Sequence, residues 1–205
     1  MLFRHVMALA AALIAFAVSA PANALEYGFK DLIQGPGAPR AGAADPDVIV
    51  VMYADYNCGY CKRMEPVLAN ALKADRRLAV VHKEWPIFGE VSQYAARVAL
   101  AATYQGRYEA VHRAFMLSPT RLSDKAMIDT LAKQAGVDGA RLSSDLKVHG
   151  DDIDAILLRN DREAALLRLQ GTPGLVINGY LIRGALSEDQ LKDLVQKIRA
   201  AKPPG

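Results

Sequence analysis

The spacing of apolar residues divides the chain into a strand–helix–strand unit, a long helical stretch, and a hairpin followed by a helix. Val48-Ile-Val-Val-Met-Tyr53 is an unbroken apolar run, the pattern of a strand covered on both faces inside an α/β sheet. A helical pattern follows from Cys58 to about Lys73, and Pro66 within it removes an internal hydrogen bond and predicts a kink. Leu78 to Trp85 reads as the next strand, ended by Pro86. Two strands joined by one helix form a crossover with the strands parallel. From Gly89 to about Leu169 the period becomes helical, with segments Val91 to Gln105, Arg107 to Leu117, Asp124 to Ala135 behind a Ser123 cap, Ala140 to Lys147 and Asp151 to Leu169. Its aromatic and aliphatic stripes read as core packing rather than a cofactor box. Gly174 to Ile177 and Tyr180 to Arg183 then flank Asn178-Gly179, a strong hairpin signal. Ser187-Glu-Asp-Gln190 has the form of a capping box and opens a final helix through Leu191, Leu194, Val195 and Ile198. The order is βαβ, a helical block, then ββα, which makes an α/β fold with an all-helical insertion at about 89–169.

Upstream of this pattern, Met1 to Ala24 reads as a signal peptide, with Arg4 and His5 at its start, an apolar run from Val6 to Val18, and Ala22-Asn23-Ala24 as the cleavage site. The apolar run falls short of the roughly 20 residues that span a bilayer, and no later segment suggests a span in the mature chain. Leu25 to Asp47 forms an N-terminal extension. Leu25 to Gln34 suits a turn or two of helix, and the Gly- and Pro-rich remainder reads as a loop. Export would place the two cysteines in an oxidising compartment, the periplasm. The mature chain of about 180 residues, drawn from a sequence that is 52% apolar, suffices for one domain with a sizeable core. Removing the leader takes away one Arg and no acid, leaving 24 basic against 22 acidic residues. A balance of +2 points to neither nucleic acid nor an anionic surface as the main partner.

Both cysteines lie in Asp55-Tyr-Asn-Cys58-Gly-Tyr-Cys61-Lys-Arg63, where the first apolar run hands over to the helix. The first sulfur therefore falls at a helix N-terminus, where free N–H groups and the helix dipole favour negative charge. Cys58 is expected to be the ionised, attacking sulfur. Cys61, one turn on, is placed to close a short disulfide with it, and such a pair can exchange two electrons with another protein. A purely structural bridge closing so small a loop would remove little unfolded-state entropy. Zinc lacks a second pair of ligands, since His5, His82, His112 and His149 are scattered. Two soft thiolates gripping Cu(I) form an alternative from another class.

Four motifs in order, Tyr56-Asn-Cys58-Gly59-Tyr60-Cys61, Lys83-Glu84-Trp-Pro-Ile87, Gly171-Thr172-Pro173-Gly174 and Val176-Ile-Asn-Gly179, resemble the DsbA-like thiol:disulfide oxidoreductases of the thioredoxin superfamily, in their ScsC-like branch. The resemblance covers essentially the whole mature chain. It implies a thioredoxin fold, with Cys58 as nucleophile, Cys61 as resolving thiol, and Thr172-Pro173 as a loop with a cis proline beside the sulfurs, its backbone ready to pair with an extended substrate. Gly59 and Tyr60 set how well the thiolate is stabilised, and this dipeptide resembles that of the DsbC-type isomerases, so oxidase and isomerase or reductase directions both stay open. Many thioredoxin-like proteins carry a buried carboxylate where this chain has Met52, six residues before Cys58. Glu84 is the candidate for proton transfer in its stead, against the alternative of a surface ion pair with Lys83. The expected partners are cysteine-containing exported proteins and a membrane redox protein that resets the pair. No cofactor or metal is implied beyond the redox-active disulfide Cys58–Cys61.

Overall fold

A computed structural model of the protein describes residues 28–201. The proposed leader and its cleavage site lie outside the described residues. Five strands form one mixed sheet: β1 (Arg40–Gly42), β2 (Val48–Ala54), β3 (Leu78–Glu84), β4 (Gly174–Ile177) and β5 (Tyr180–Arg183), in the order β1-β3-β2-β4-β5. β2 and β3 are parallel, and the other neighbours are antiparallel. The parallel pair is joined by α2 (Gly59–Ala74), and the hairpin β4–β5 leads to α8 (Glu188–Ala200). Between β3 and β4 the chain forms α3 (Glu90–Ala101), α4 (Tyr108–Met116), α5 (Lys125–Gln134), α6 (Gly139–Val148) and α7 (Gly150–Leu166).

The period-two geometry of a strand splits the sheet's side chains between two cores. Val48, Val50, Met52 and Ala54 of β2 join Leu78 and Val80 of β3 and Leu175 and Ile177 of β4 in the larger core, with α2, α8 and the helical block. Val51, Tyr53, Val81 and Val176 point the other way, into a smaller core with Leu32, Ala164 and Leu169. Both faces of these strands are covered, so β2 is apolar along its whole length and β3 from Leu78 to Val81, while His82, Lys83 and Glu84 at the end of β3 are buried as well.

Several expectations need correction. The stretch read as a loop between Gly35 and Asp47 contains β1, which pairs antiparallel with β3 through Arg40↔Val81 and Gly42↔Ala79. Among the described residues of the extension, the expected turn or two of helix is α1, Phe29–Gln34. The helix expected from Cys58 to about Lys73 is α2, and Pro66 lies within it as read. The segment from Val91 to Gln105 is an α-helix to Ala101 and then a 3₁₀ turn, Ala102–Gln105, closed by Gly106 at φ 64°. The cap of α5 is Asp124, whose side chain accepts from Met127 N, rather than Ser123. The Ser187–Gln190 capping box is formed as expected.

Candidate active site

The strand-to-helix handover that the sequence marks is held by a carboxylate. Asp55, 1% exposed at the end of β2, accepts Asn57 N (2.7 Å) and Ser92 Oγ (2.7 Å) through Oδ1. Its Oδ2 accepts Ile87 N (2.7 Å) and Phe88 N (3.0 Å). One short side chain thereby ties the approach to the cysteines to the loop after β3 and to α3. Asn57 bridges further, donating to Ser92 Oγ and Leu122 O and accepting from Leu122 N at 2.8 Å. Lys62, just past Cys61, donates its ammonium to the carbonyls of Phe115, Ser118 and Thr120. The helical block is thus fastened to the cysteine turn by Asp55, Asn57 and Lys62, none of which was assigned a role from sequence.

Cys58 is the N-cap of α2, and its sulfur accepts Cys61 N at 3.4 Å. Across the fold, the peptide Thr172–Pro173 is cis, and the Cys58 sulfur lies 3.2 Å from the Thr172 carbonyl, to which it donates when protonated. Both cysteines are free thiols. Cys58 is nonetheless only 3% exposed, with the Thr172 loop against its sulfur. Cys61 has no solvent contact.

The two thiols are driven apart electrostatically. Donation from Cys61 is the largest cause lowering Cys58 from 9.0 to about 5; burial opposes it, and the Thr172 side chain and the N–H groups of Cys61 and Tyr60 add to it. The Thr172 hydroxyl oxygen is buried with no other partner, which leaves its proton free to serve a thiolate. Burial, reinforced by Cys58, pushes the Cys61 thiol well above the ordinary thiol range. One sulfur is therefore an anion at neutral pH and its neighbour a proton donor to it, the division of labour that thiol exchange requires.

Glu84 is buried at the end of β3, and its hydrogen-bond partners are tyrosines. Its Oε1 accepts from Tyr56 OH and from Tyr108 OH, each at 2.6 Å, and lies 3.8 Å from His112 Nδ1. Among the described residues no bond joins it to either sulfur. The surface ion pair with Lys83 does not form either, since adjacent strand residues face opposite sides of the sheet. Lys83 is buried in the other core against Glu163 at 2.8 Å, and burial lowers its pKa while Glu163 works to restore it.

His82 and His112 prove not to be scattered: their rings meet at 4.2 Å under β2 and α2. His112 Nδ1 lies 3.0 Å from Tyr56 OH and Nε2 3.2 Å from the buried carboxylate of Glu65, one helical turn beyond Cys61. Burial would depress His112, but Glu65 and Glu84 raise it to about 9. His82, desolvated and next to that cation, is held well below its ordinary value and stays neutral. Glu65 and Glu84 thus flank the His112 imidazolium in the core that also holds Met52. The signal for this network was a histidine four residues after Tyr108, on the stripe that also carries Val111 and Phe115.

Comparison with known proteins supports this geometry. A family model described as DSBA-like thioredoxin domain matches residues 49–196. A thioredoxin-like oxidoreductase from Silicibacter pomeroyi DSS-3 is similar in structure with a TM-score of 0.80 and 35% identity, over 85% of this chain and 99% of that one. The catalytic domain of Proteus mirabilis ScsC gives 0.75 and 30%, over 84% and 95%. The thiol-disulfide exchange protein alpha-DsbA2 from Wolbachia pipientis gives 0.77 and 27%, over 83% and 91%. Among curated sequences, a Na(+)/H(+) antiporter NhaA 3 of Salinispora tropica is 27% identical over 163 residues, and the chain spans only 24% of that protein's length. No helix of the described residues is long and apolar enough to cross a membrane. The sulfur pair at a helix start, the cis proline against it and the matched family agree, and the chain belongs to the DSBA-like thioredoxin domain family of thiol-disulfide oxidoreductases.

Proposed function

We propose that the protein is a periplasmic disulfide donor to exported proteins, working through Cys58 and Cys61. The observation that carries this reading is the depression of Cys58 to about 5 while Cys61 is held protonated. A thiolate stabilised by some two pH units relative to neutrality favours the reduced pair over the disulfide by on the order of 60 mV for a two-electron couple. The disulfide is correspondingly eager to accept electrons. A substrate thiolate attacks Cys58 Sγ, the Cys58–Cys61 bond breaks, and Cys61 leaves and takes up a proton in its buried site. A second substrate thiolate then attacks the substrate sulfur of the mixed disulfide and expels Cys58 as the stabilised thiolate. The substrate loses two electrons and two protons; the protein gains the electron pair and one proton, and the other goes to solvent. A membrane redox protein would reoxidise the pair. A periplasmic thioredoxin-like protein from Salmonella enterica serovar Typhimurium, similar over 83% of this chain, supports the compartment.

Equilibration of the purified protein with glutathione buffers, read by alkylation and mass, tests the proposal. A potential well above that of an ordinary dithiol, with rapid oxidation of a dithiol peptide, is expected. A strongly reducing potential with activity only on scrambled disulfides would assign it to the isomerase or reductase direction instead. Tight Cu(I) binding without any exchange would assign it to metal handling.

A further inference from the structure

Beside the cis-proline loop lies an open groove whose walls are the first turns of α2 and the segment after β5, and whose lining includes Tyr60, Arg63, Thr172, Pro173 and Arg183. The charged residues lining it are both arginines, and no carboxylate lines it. Arg63 holds its guanidinium over the Tyr60 ring at 4.1 Å, so an aromatic face inside the Cys-x-x-Cys turn carries a cation. Among the described residues, neither Arg63 nor Arg183 has a carboxylate within ion-pair distance. Two unpaired guanidinium groups in a concavity that shares Thr172 with the Cys58 sulfur are placed to meet anions on whatever chain enters.

We infer that the groove selects protein substrates that carry Asp or Glu close to the reacting cysteine. An extended chain advances about 3.3 Å per residue, so a carboxylate within about three residues of the cysteine reaches the groove while its sulfur meets Cys58. The inference rests on the exchange reaction proposed above and adds its substrate class; the chemistry and electron balance are unchanged. Its contribution is electrostatic and lies near solvent, so it acts mainly on the rate of productive encounter and is weakened by salt.

The test uses the oxidised full chain and two dithiol peptides of equal length, one with Glu and one with Lys flanking each cysteine. Rates are followed by stopped flow and divided by the thiolate concentration of each peptide, which removes the effect of the flanking charge on the peptide's own thiol. Dithiothreitol serves as an uncharged control on the unmodified chain. The Glu peptide is expected to react about fivefold faster or more at low ionic strength, with the gap closing in 0.5 M salt as the Debye length shrinks to a few ångströms. Arg63→Glu with Arg183→Glu should reverse the preference, and the milder Arg183→Gln should halve it or more. Equal rates for the two peptides, or a preference that survives the double reversal, would overturn the inference while dithiothreitol oxidation leaves the exchange reading standing. A chain that fails to oxidise dithiothreitol removes both.

Discussion

Cys58→Ser in the fully reduced protein removes the thiol whose folded pKa is about 5 and whose ordinary value is 9.0. Because the folded value is depressed, the stabilisation it brings is complete above the unfolded pKa and is lost as pH falls through about 5. Between those limits the unfolded chain binds one proton more than the folded chain at this site, so the difference in unfolding free energy between reduced wild type and Cys58→Ser should rise by about 1.4 kcal/mol per pH unit. It should stand about 3 kcal/mol higher at pH 7 than in the acid limit, and approach about 5 kcal/mol near pH 9. The Cys58 sulfur lies close beneath the surface, so solvent screening makes these figures upper values. His112 contributes with the opposite sign: raised to about 9, it stabilises below its unfolded value near 6.5 and loses that contribution as pH climbs. Taking the difference between the two proteins cancels that slope, since both contain His112. The assay is urea unfolding by far-UV circular dichroism at half-unit intervals from pH 4.5 to 9 under excess phosphine reductant. A difference that is flat with pH would refute the assignment of a stabilised thiolate at Cys58.

Other consequences follow from the buried polar groups. Asp55→Ala strips the acceptor from Asn57 N, Ile87 N, Phe88 N and Ser92 Oγ. It should cost about 3 kcal/mol or more in chemical unfolding and slow peptide oxidation, because the cysteine turn loses its tether. Lys83→Met leaves the Glu163 carboxylate buried without its nearest cation and should cost about 3–5 kcal/mol, whereas Lys83→Met with Glu163→Leu should recover most of that loss in the same assay. Thr172→Val removes the hydroxyl that faces the sulfurs and should raise the Cys58 pKa, read as a shift of thiolate absorbance at 240 nm to higher pH.

What the sequence disclosed was what neighbouring residues encode. The apolar run of β2, the Asn178-Gly179 turn and the Ser187 capping box each carry their signal within a few positions, and each forms where it was read. β1 escaped because it is three residues, Arg-Ala-Gly, with no apolar alternation; the open edge of β3 creates it. Thr172 lies 114 positions from Cys58, so its place beside the sulfur was legible only through the family resemblance, and the burial of the sulfur was not legible at all. The electrostatic floor of the site was hidden more deeply. Glu65, Glu84, His82 and His112 come from a helix, a strand and a second helix, and only the packing of α4 on α2 and β3 turns four separate polar residues into one network. Glu84 could be placed near the chemistry from its strand position, but its two tyrosine partners could not.

The central claim is that Cys58 alone is the reactive anion and Cys61 its shielded proton donor. It is tested most directly by the pH dependence of iodoacetamide alkylation of the reduced protein, with peptide mapping of the label. The rate profile should have a midpoint near pH 5, with all early label on Cys58. A midpoint between pH 8 and 9, or label appearing first on Cys61, would contradict it.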